Sequence, residues 1–225
     1  MRVLIVAATK PEVDLLISDF GFRISDLGRN ENEYALTTHH SPLTTLITGV
    51  GMVATAFSLG KHLATNQYDL AINLGIAGSF DRNIALGEVV EVVEDQLSEL
   101  GAEDAEAFLL IETLGFGESI FKTDVRLSSY SDQQLKHVTA ITVNTVHGHE
   151  PSIQKLTSRI QPQLESMEGA AFSYACKKAG IPCLQIRAVS NYVEKRNRDA
   201  WQIGLAIKNL NSFATVFIAE VLSST

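Results

Sequence analysis

Six short runs rich in aliphatic and β-branched residues recur along the chain, and they constrain its fold more than any other feature. Each run is about as long as one strand. They begin at Arg2 (RVLIVAA), Leu43 (LTTLIT), Asp69 (DLAINLG), Glu88 (EVVEVV), Thr139 (TAITVNTV) and Pro182 (PCLQIRAV). Helical patterns lie between and after them, at residues 11–20, 52–65, 152–159, 168–179 and 198–222. This alternation predicts an α/β fold with a mixed or mostly parallel central sheet flanked by helices.

Local signals agree with this organisation at the joint between the fourth helix and the last strand. Gly180 permits the left-handed conformation that ends a helix, and Pro182 cannot extend one. The 225 residues suit one large domain, and no linker divides them, so we expect residues 1–225 to form a single domain. Residues 94–134 differ, because they are polar and acidic. They predict a long irregular excursion over a site.

Charge and hydropathy exclude several classes of partner. The 18 basic and 26 acidic residues give a net charge of −8, and no Lys/Arg cluster alternates with aromatic residues, so we expect no nucleic-acid partner. The apolar run at the start is too short for a signal peptide, and 18 apolar residues never occur in succession. We therefore expect a cytoplasmic chain with no membrane partner. Cys176 and Cys183 lack zinc-like spacing and are expected to be packing residues.

A glycine-rich stretch, TLITGVGMVATAF, follows the second run and opens a helix. Gly49, Gly51 and Ala54 match the G-x-G-x-x-A pattern of dinucleotide-binding folds. The pattern follows a second strand, however, and the next acidic residue, Asp69, precedes a strand instead of ending one, which disfavours a dinucleotide. Two interpretations stay open: backbone N–H groups that approach an anionic or hydroxyl-rich ligand, or a tight turn that packs helix on sheet.

Candidate site residues follow three of the predicted strands. Glu12 comes after the first strand, the glycine-rich stretch after the second, and Gly75 and Gly78 in NLGIAGSF are interpreted as a turn after the third. Ligands bind at the carboxyl ends of strands in such sheets, so we expect a site there. Glu168, in SMEGAAF, is either an exposed helix-start residue, favoured by the helix dipole, or a carboxylate in a pocket.

Together these motifs resemble the purine nucleoside phosphorylase/nucleosidase superfamily over nearly the whole chain. AATKPEVDLL is similar to the nucleosidase opening, GVGMVATA to the next glycine turn, and NLGIAGSF followed by LGEVV to two further elements; SMEGAA and IRAVSN are the most specific matches. The resemblance implies an enzyme of nucleoside-phosphorylase-like fold. It also implies that Glu12 activates water, that Met167 and Glu168 hold the ribose, and that Ile76 and Gly78 line the substrate. Asn191, at the strand end that addresses the purine in this superfamily, is expected to be catalytic, as the donor to the departing purine near N7 or O6.

Within that superfamily, SMEGAAF and RAVSNYVEKRNRDAW are most similar to the futalosine hydrolases, which remove hypoxanthine from futalosine on a menaquinone route. Methylthioadenosine/S-adenosylhomocysteine nucleosidases carry Asp where this chain has Asn191. An amide both donates and accepts hydrogen bonds, which suits a 6-oxopurine. The alternatives are a methylthioadenosine/S-adenosylhomocysteine nucleosidase and a non-catalytic nucleoside-binding protein on the same fold.

The resemblance further implies a hydrolase without metal or cofactor that acts as a homodimer on a small nucleoside. The phosphate-binding element of phosphorylases is missing, so water is the expected nucleophile. Arg196 and Arg198 are candidates for the carboxylate of futalosine, although a solvated charged turn explains them equally well. His147 and His149 have ligand-type spacing, but they share a face only if a strand continues through Gly148, so we expect no metal to bind. The resemblance implies that one of the two, His147, touches substrate.

Overall fold

The computed structural model describes residues 1–19, 23–24, 33–37, 42–123 and 125–223. The strands are β1 (Val3–Ala7), β2 (Arg23–Ile24), β3 (Glu33–Thr37), β4 (Pro42–Ile47), β5 (Leu70–Ser79), β6 (Val89–Leu97), β7 (Gly101–Asp104), β8 (Ala107–Leu110), β9 (Ile120–Lys122), β10 (Lys136–Thr142), β11 (Leu164–Ser166) and β12 (Cys183–Tyr192). The helices are α1 (Asp14–Asp19), α2 (Met52–Leu63), α3 (Glu150–Thr157), α4 (Gly169–Ala179) and α5 (Ile203–Ser223), with 3-10 helices at Lys10–Glu12, Leu127–Ser129 and Arg198–Ala200.

All six predicted strands and all five predicted helices are present, with ends that shift by a few residues. The first predicted helix is divided into a 3-10 helix and α1, and its last predicted residue, Phe20, lies outside the described residues. The fifth begins at Ile203 instead of residue 198. Gly180 ends α4 with φ 69° and ψ 29°, the left-handed conformation that the sequence predicts.

The central sheet is mixed, and its topology decides which strand ends meet. Its order is β11-β10-β6-β12-β5-β1-β4-β3-β2, and β9 pairs with β6. β1, β4, β5 and β12 are parallel, so their carboxyl ends share one edge. β6, β10 and β11 run in the opposite direction. Because β11 also pairs with β5, the five strands β5, β12, β6, β10 and β11 close into a ring.

Helices cover both faces of the sheet, as the alternation of side chains in β1 illustrates. Val3 and Ile5 belong to a core cluster with α5, whereas Leu4 and Val6 belong to a cluster with residues of α2 and α4. α5 is long and apolar enough to cross a membrane by length and composition alone. Its residues Leu210 and Phe217 are fully buried against the sheet, as expected for the core helix of a soluble domain.

The expectation of an irregular excursion at residues 94–134 is wrong for much of that segment. Its first residues complete β6, β7 and β8 form an antiparallel hairpin, and β9 pairs antiparallel with β6. The hairpin turn at Ala105 and Glu106 contains neither Gly nor Asn, and Ala105 has φ 50°. The usual sequence signal of a two-residue turn is therefore missing, which explains why the sequence did not predict the hairpin.

Candidate active site

Glu12 lies at the end of the 3-10 helix that follows β1 and is 7% exposed. Its Oε2 accepts hydrogen bonds from Thr9 N (2.8 Å) and Thr9 Oγ1 (2.9 Å), and its Oε1 accepts one from Ile76 N (3.2 Å). Burial raises the pKa of Glu12 above its ordinary value, although these three donors oppose the shift. The result is an oriented carboxylate that is a stronger base than an exposed glutamate.

Gly75 makes room for a buried cation beside Glu12. A Cβ at Gly75 would lie 3.1 Å from Nη1 of Arg187 and 3.2 Å from Oε1 of Glu12. Arg187, on β12, is 1% exposed and donates to the Oδ1 and backbone O of Asn73 and to the backbone O of Ile186. The interpretation of Gly75 and Gly78 as a turn is wrong, because both lie inside β5. Because neither glycine has a side chain, Arg187 and Glu12 can lie close to Gly75, and Asn191 can lie close to Gly78.

Arg187 is a buried cation that interacts electrostatically with three carboxylates. Its charge is stabilised electrostatically by Glu168, Asp95 and Glu12, while burial lowers the pKa of its guanidinium. Sequence reasoning did not assign Arg187 a role, although it quoted the motif that contains it. An arginine inside an otherwise apolar strand run is the signal that could have found it, because buried charges are paired.

Glu168 comes to the site from the opposite direction, after β11. It is the N-cap residue of α4, but its side chain makes no cap bond to that helix. Instead, Oε1 of Glu168 accepts from Gly51 N at 2.9 Å, at the start of α2. Gly51 has φ 94°, a conformation that favours glycine. The anion that the sequence predicted at this glycine turn is thus a carboxylate of the chain itself. Its Oε2 also accepts a hydrogen bond from Met167 N at 3.3 Å.

The acidic residue proposed to contact a dinucleotide lies far from this arrangement. Asp69 precedes β5, and its Oδ2 accepts from Arg2 N, just before β1, at 2.6 Å. It therefore sits at the amino ends of these parallel strands, opposite the edge that carries Glu12 and Gly51. This placement agrees with the sequence argument against a dinucleotide site.

Buried polar side chains form hydrogen bonds next to the start of α4. Asp95 is 1% exposed, and it accepts from Thr142 Oγ1 and from Gln185 Nε2, both at 2.9 Å. Thr142 Oγ1 in turn accepts from Ala170 N at 2.7 Å. Gly169 lies so close that a Cβ there would be 2.1 Å from Asp95 Oδ2. Burial raises the pKa of Asp95 to about 7, and sequence reasoning missed this residue.

Asn191 sits near the end of β12, where a register shift follows Val189. Its Oδ1 accepts from Ser190 Oγ at 2.8 Å, and its Nδ2 donates to Tyr192 O at 3.1 Å. Asn191 pairs with Gly78 on β5, and a Cβ at Gly78 would be 3.1 Å from the amide nitrogen. The two described bonds leave one N–H and one lone pair of the amide for a ligand.

His147 follows β10 and is oriented by Glu165 of β11. Its backbone N donates to Glu165 Oε1 at 2.8 Å, and its Nδ1 lies 2.5 Å from Glu165 Oε2. Glu165 is 3% exposed, and burial raises its pKa. His149 turns elsewhere, with Nδ1 3.1 Å from Ser152 Oγ. The two imidazoles therefore have different partners and do not converge as a pair of metal ligands would.

Arg196 and Arg198 are exposed and lie over one aromatic ring. Their guanidinium carbons are 5.1 and 6.0 Å from the centroid of Trp201. Arg196 N also donates to Gly148 O at 3.0 Å, which ties this segment to the residue after His147. This bond places Arg196 beside the segment that carries His147, while Arg198 has no described contact with that segment.

The predicted residues converge along one stretch of β5. Glu12 is bound at Ile76, and Asn191 at Gly78, two residues further along, which corresponds to roughly 7 Å. The contacts of Glu12 and Asn191 on β5 are thus separated by about the distance between the sugar and the base of a nucleoside.

Comparison with known proteins identifies the family of the chain. A family model described as the phosphorylase superfamily matches residues 2–223. The chain belongs to the phosphorylase superfamily. The membership that the motifs suggested is therefore confirmed.

Named relatives of this superfamily member fall into two groups. The futalosine hydrolase of Streptomyces coelicolor is 31% identical over 100% of this chain and 97% of its own length. A 5'-methylthioadenosine/S-adenosylhomocysteine nucleosidase of Colwellia psychrerythraea is 26% identical over 94% and 92%. Among solved structures, futalosine hydrolase of Helicobacter pylori superposes with a TM-score of 0.83 at 14% identity and covers 100% of this chain and 98% of its own. This structural likeness confirms the predicted fold.

Proposed function

We propose that the chain is a nucleosidase that hydrolyses the N-glycosidic bond of futalosine and releases hypoxanthine, with residues 1–225 acting as one catalytic domain. The observation that carries the proposal is the buried carboxylate Glu12, held by three donors beside Arg187, together with Glu168 on the same cation. The full-length similarity to a futalosine hydrolase supports the choice of substrate.

Each group has a task in a reaction that passes through an oxocarbenium-like sugar. Glu12 removes a proton from the attacking water, and the water oxygen bonds to C1′ as the bond to the base breaks. Glu168 accepts from the ribose hydroxyls, and Met167 packs against the sugar. Negative charge beside the ribose stabilises the positive charge that develops on the sugar. When substrate is absent, Arg187 offsets the cost of burying this negative charge.

Asn191 supports a 6-oxopurine over adenine. The backbone carbonyl of Tyr192 accepts from Nδ2 and fixes the orientation of the amide, so the amide offers one donor and one acceptor in a fixed direction. A 6-oxopurine presents an acceptor at O6 and a donor at N1, and both are satisfied by one amide. Adenine presents a donor where hypoxanthine has O6, which leaves a polar group unpaired and weakens binding.

Further parts of the proposal rest on the family resemblance. Arg196 and Arg198 are proposed to bind the carboxylate beyond the 5′ carbon of futalosine, since guanidinium groups recognise carboxylates well. The pathway is proposed to be menaquinone biosynthesis, and the location the cytoplasm.

The function is tested by incubating the purified protein without phosphate with futalosine, methylthioadenosine, S-adenosylhomocysteine and inosine. Chromatography then identifies the free base. Hypoxanthine from futalosine alone is the expected result. Adenine release assigns the chain to the methylthioadenosine/S-adenosylhomocysteine nucleosidases, binding without cleavage assigns a nucleoside-binding protein, and a requirement for phosphate with ribose 1-phosphate as product contradicts hydrolysis.

A homodimer is proposed across an apolar surface next to the site. Val53, Phe57 and Phe116 are 77%, 72% and 80% exposed, and all three line a cavity of about 1090 Å³ between α2, α4 and the segment after β8. α2 and α4 begin next to Gly51 and Glu168, so a second copy seated here borders the ribose end of the site. Exposed apolar surface of this kind marks an interaction site.

The dimer is tested by light scattering coupled to gel filtration. We expect wild type to have twice the 24.5 kDa mass of one chain, and Phe57→Asp to shift the mass towards one chain, because a charge cannot be buried unpaired. Val216→Asp is the matched control, since Val216 is a half-exposed residue of α5 on the other side of the sheet. A wild-type protein of 24.5 kDa contradicts the proposal.

A further inference from the structure

Asn191 cannot protonate the departing purine. When the bond from C1′ to the purine breaks, its electron pair stays on the base, and an anionic purine leaves poorly unless it gains a proton. The amide of Asn191 orients the base by hydrogen bonds but has no titratable proton to deliver. A proton donor is therefore expected elsewhere at the purine end of the site.

His147 and Glu165 form a pair in which a carboxylate orients an imidazole, an arrangement that suits a proton donor. Glu165 binds both the backbone N and Nδ1 of His147, which fixes the ring and directs Nε2 away from the carboxylate. Among the residues that the structure describes, none forms a hydrogen bond with Nε2. The side chain of His147 is 14% exposed, so it remains reachable while it is largely enclosed. A base oriented by a third group is a recurring catalytic arrangement.

Strand pairing places this pair next to Asn191. Gly78 of β5 pairs with Glu165 on one side and with Asn191 on the other. Residues paired directly across a sheet point to the same face, and two strand spacings separate Glu165 from Asn191 by roughly 10 Å. Phe80, just after β5, lies with its ring 6.5 Å from that of His147. Gly78 thus has Asn191 on one side and the strand that carries Glu165 on the other, and a Cβ at Gly78 would lie 3.0 Å from Val193 Cγ2 and 3.1 Å from Asn191 Nδ2.

Other charged groups surround His147 from the packed elements. They are Arg196 after β12, Glu99 after β6, Glu103 and Glu106 of the hairpin, and Lys155 and Arg159 at α3. Lys155 is paired with Glu103, and Arg159 lies 3.9 Å from the centroid of Phe108. None of these six groups has a described hydrogen bond to the imidazole, whereas Glu165 does.

We propose that His147, held by Glu165, is the general acid that protonates the departing purine; this rests on the proposed function. In the active form the pair carries two protons, one on Nε2 and one between Nδ1 and Oε2. As the bond from C1′ to N9 breaks, the Nε2 proton moves to the purine, most directly at N7. Glu12 takes a proton from water, whose oxygen bonds to C1′. Glu12 then releases its proton to solvent, and His147 takes one back from solvent.

The test is the pH profile of kcat/KM for futalosine in His147→Gln. Glutamine still bonds to Glu165 but transfers no proton, so we expect kcat to fall by about 10²–10⁴-fold with little change in KM. The alkaline limb due to loss of the acid proton should disappear. His149→Gln is the matched control, because that exposed histidine contacts only Ser152 Oγ in the described structure, and it should keep both rate and limb.

Glu165→Gln provides a second, independent measurement. Without the carboxylate the imidazole loses the partner that orients Nδ1, so kcat should fall while KM is largely kept. A His147→Gln variant with wild-type kcat and an unchanged alkaline limb overturns the inference, and so does one that changes KM alone. If wild type releases no base from futalosine, the proposed function itself fails, which is a different outcome.

Discussion

Replacing Glu12 with Gln is expected to reduce kcat for base release by about 10²–10⁴-fold, the usual contribution of a positioned general base. Glutamine has nearly the same shape, and its oxygen still accepts from Thr9 or Ile76, so the fold should be kept. The loss then reports the missing proton acceptor. The measurement is kcat from initial rates, with circular dichroism to confirm the fold.

The pH dependence of the wild-type enzyme carries a second signature of Glu12. Burial raises the pKa of this carboxyl above the ordinary value of 4.5, and only the ionised form accepts a proton. Activity should therefore be present above the raised pKa and be lost as pH falls through it, at a higher pH than for an exposed glutamate. The same shift has the opposite sign for stability, since ionising a buried carboxyl destabilises the fold as pH rises through the raised pKa.

Asp14→Asn is the matched control for Glu12→Gln. Asp14 lies two residues further on, and it pairs at the surface with Lys10 at 3.7 Å. Its replacement should leave kcat within about twofold, because exposed pairs of this kind contribute little. If Glu12→Gln behaves like Asp14→Asn, water is not activated at Glu12 and the proposed mechanism is wrong.

Replacing Arg187 with Met is expected to destabilise the protein by about 3–5 kcal/mol, the usual cost of removing one partner from a buried charge cluster. The methionine fills part of the volume but leaves Glu12 and Asp95 buried without a cation. For a chain of this size the loss corresponds to a Tm lower by roughly 6–20 °C. Thermal unfolding followed by circular dichroism measures it.

The penalty should shrink at acidic pH. Asp95 has a pKa of about 7, and Glu12 also has a raised pKa, so both carboxyls become neutral as pH falls, and neutral carboxyls need no counter-ion. Arg82→Met is the matched control: Arg82 is a surface arginine next to Glu194 and Tyr192, and it should change stability by less than about 1 kcal/mol. Equal Tm values for the two variants at neutral pH contradict a structural role for the buried cation.

Much of the site follows from local sequence patterns because its residues stand beside recognisable breaks in structure. Glu12 follows a strand and a proline, Gly51 opens a helix, Glu168 heads α4, and Asn191 ends the last strand. Short-range rules for strand ends and helix starts mark such positions, whereas the roles given to Glu12, Met167 and Asn191 came from the family resemblance. The hairpin of β7 and β8 was not predicted, because its turn contains neither Gly nor Asn.

The sequence by itself determined the α/β class, the extent of the main elements and the residues at their ends, because hydrophobic periodicity and capping are properties of neighbouring residues. The tertiary structure alone decided that Arg187 serves Glu12, Asp95 and Glu168 together, and that Gly78 has Glu165 on one side and Asn191 on the other. These partners lie on strands far apart in the chain, and strand direction, register and the closed ring of five strands bring them together. Register follows from packing over the whole sheet, which local patterns do not specify.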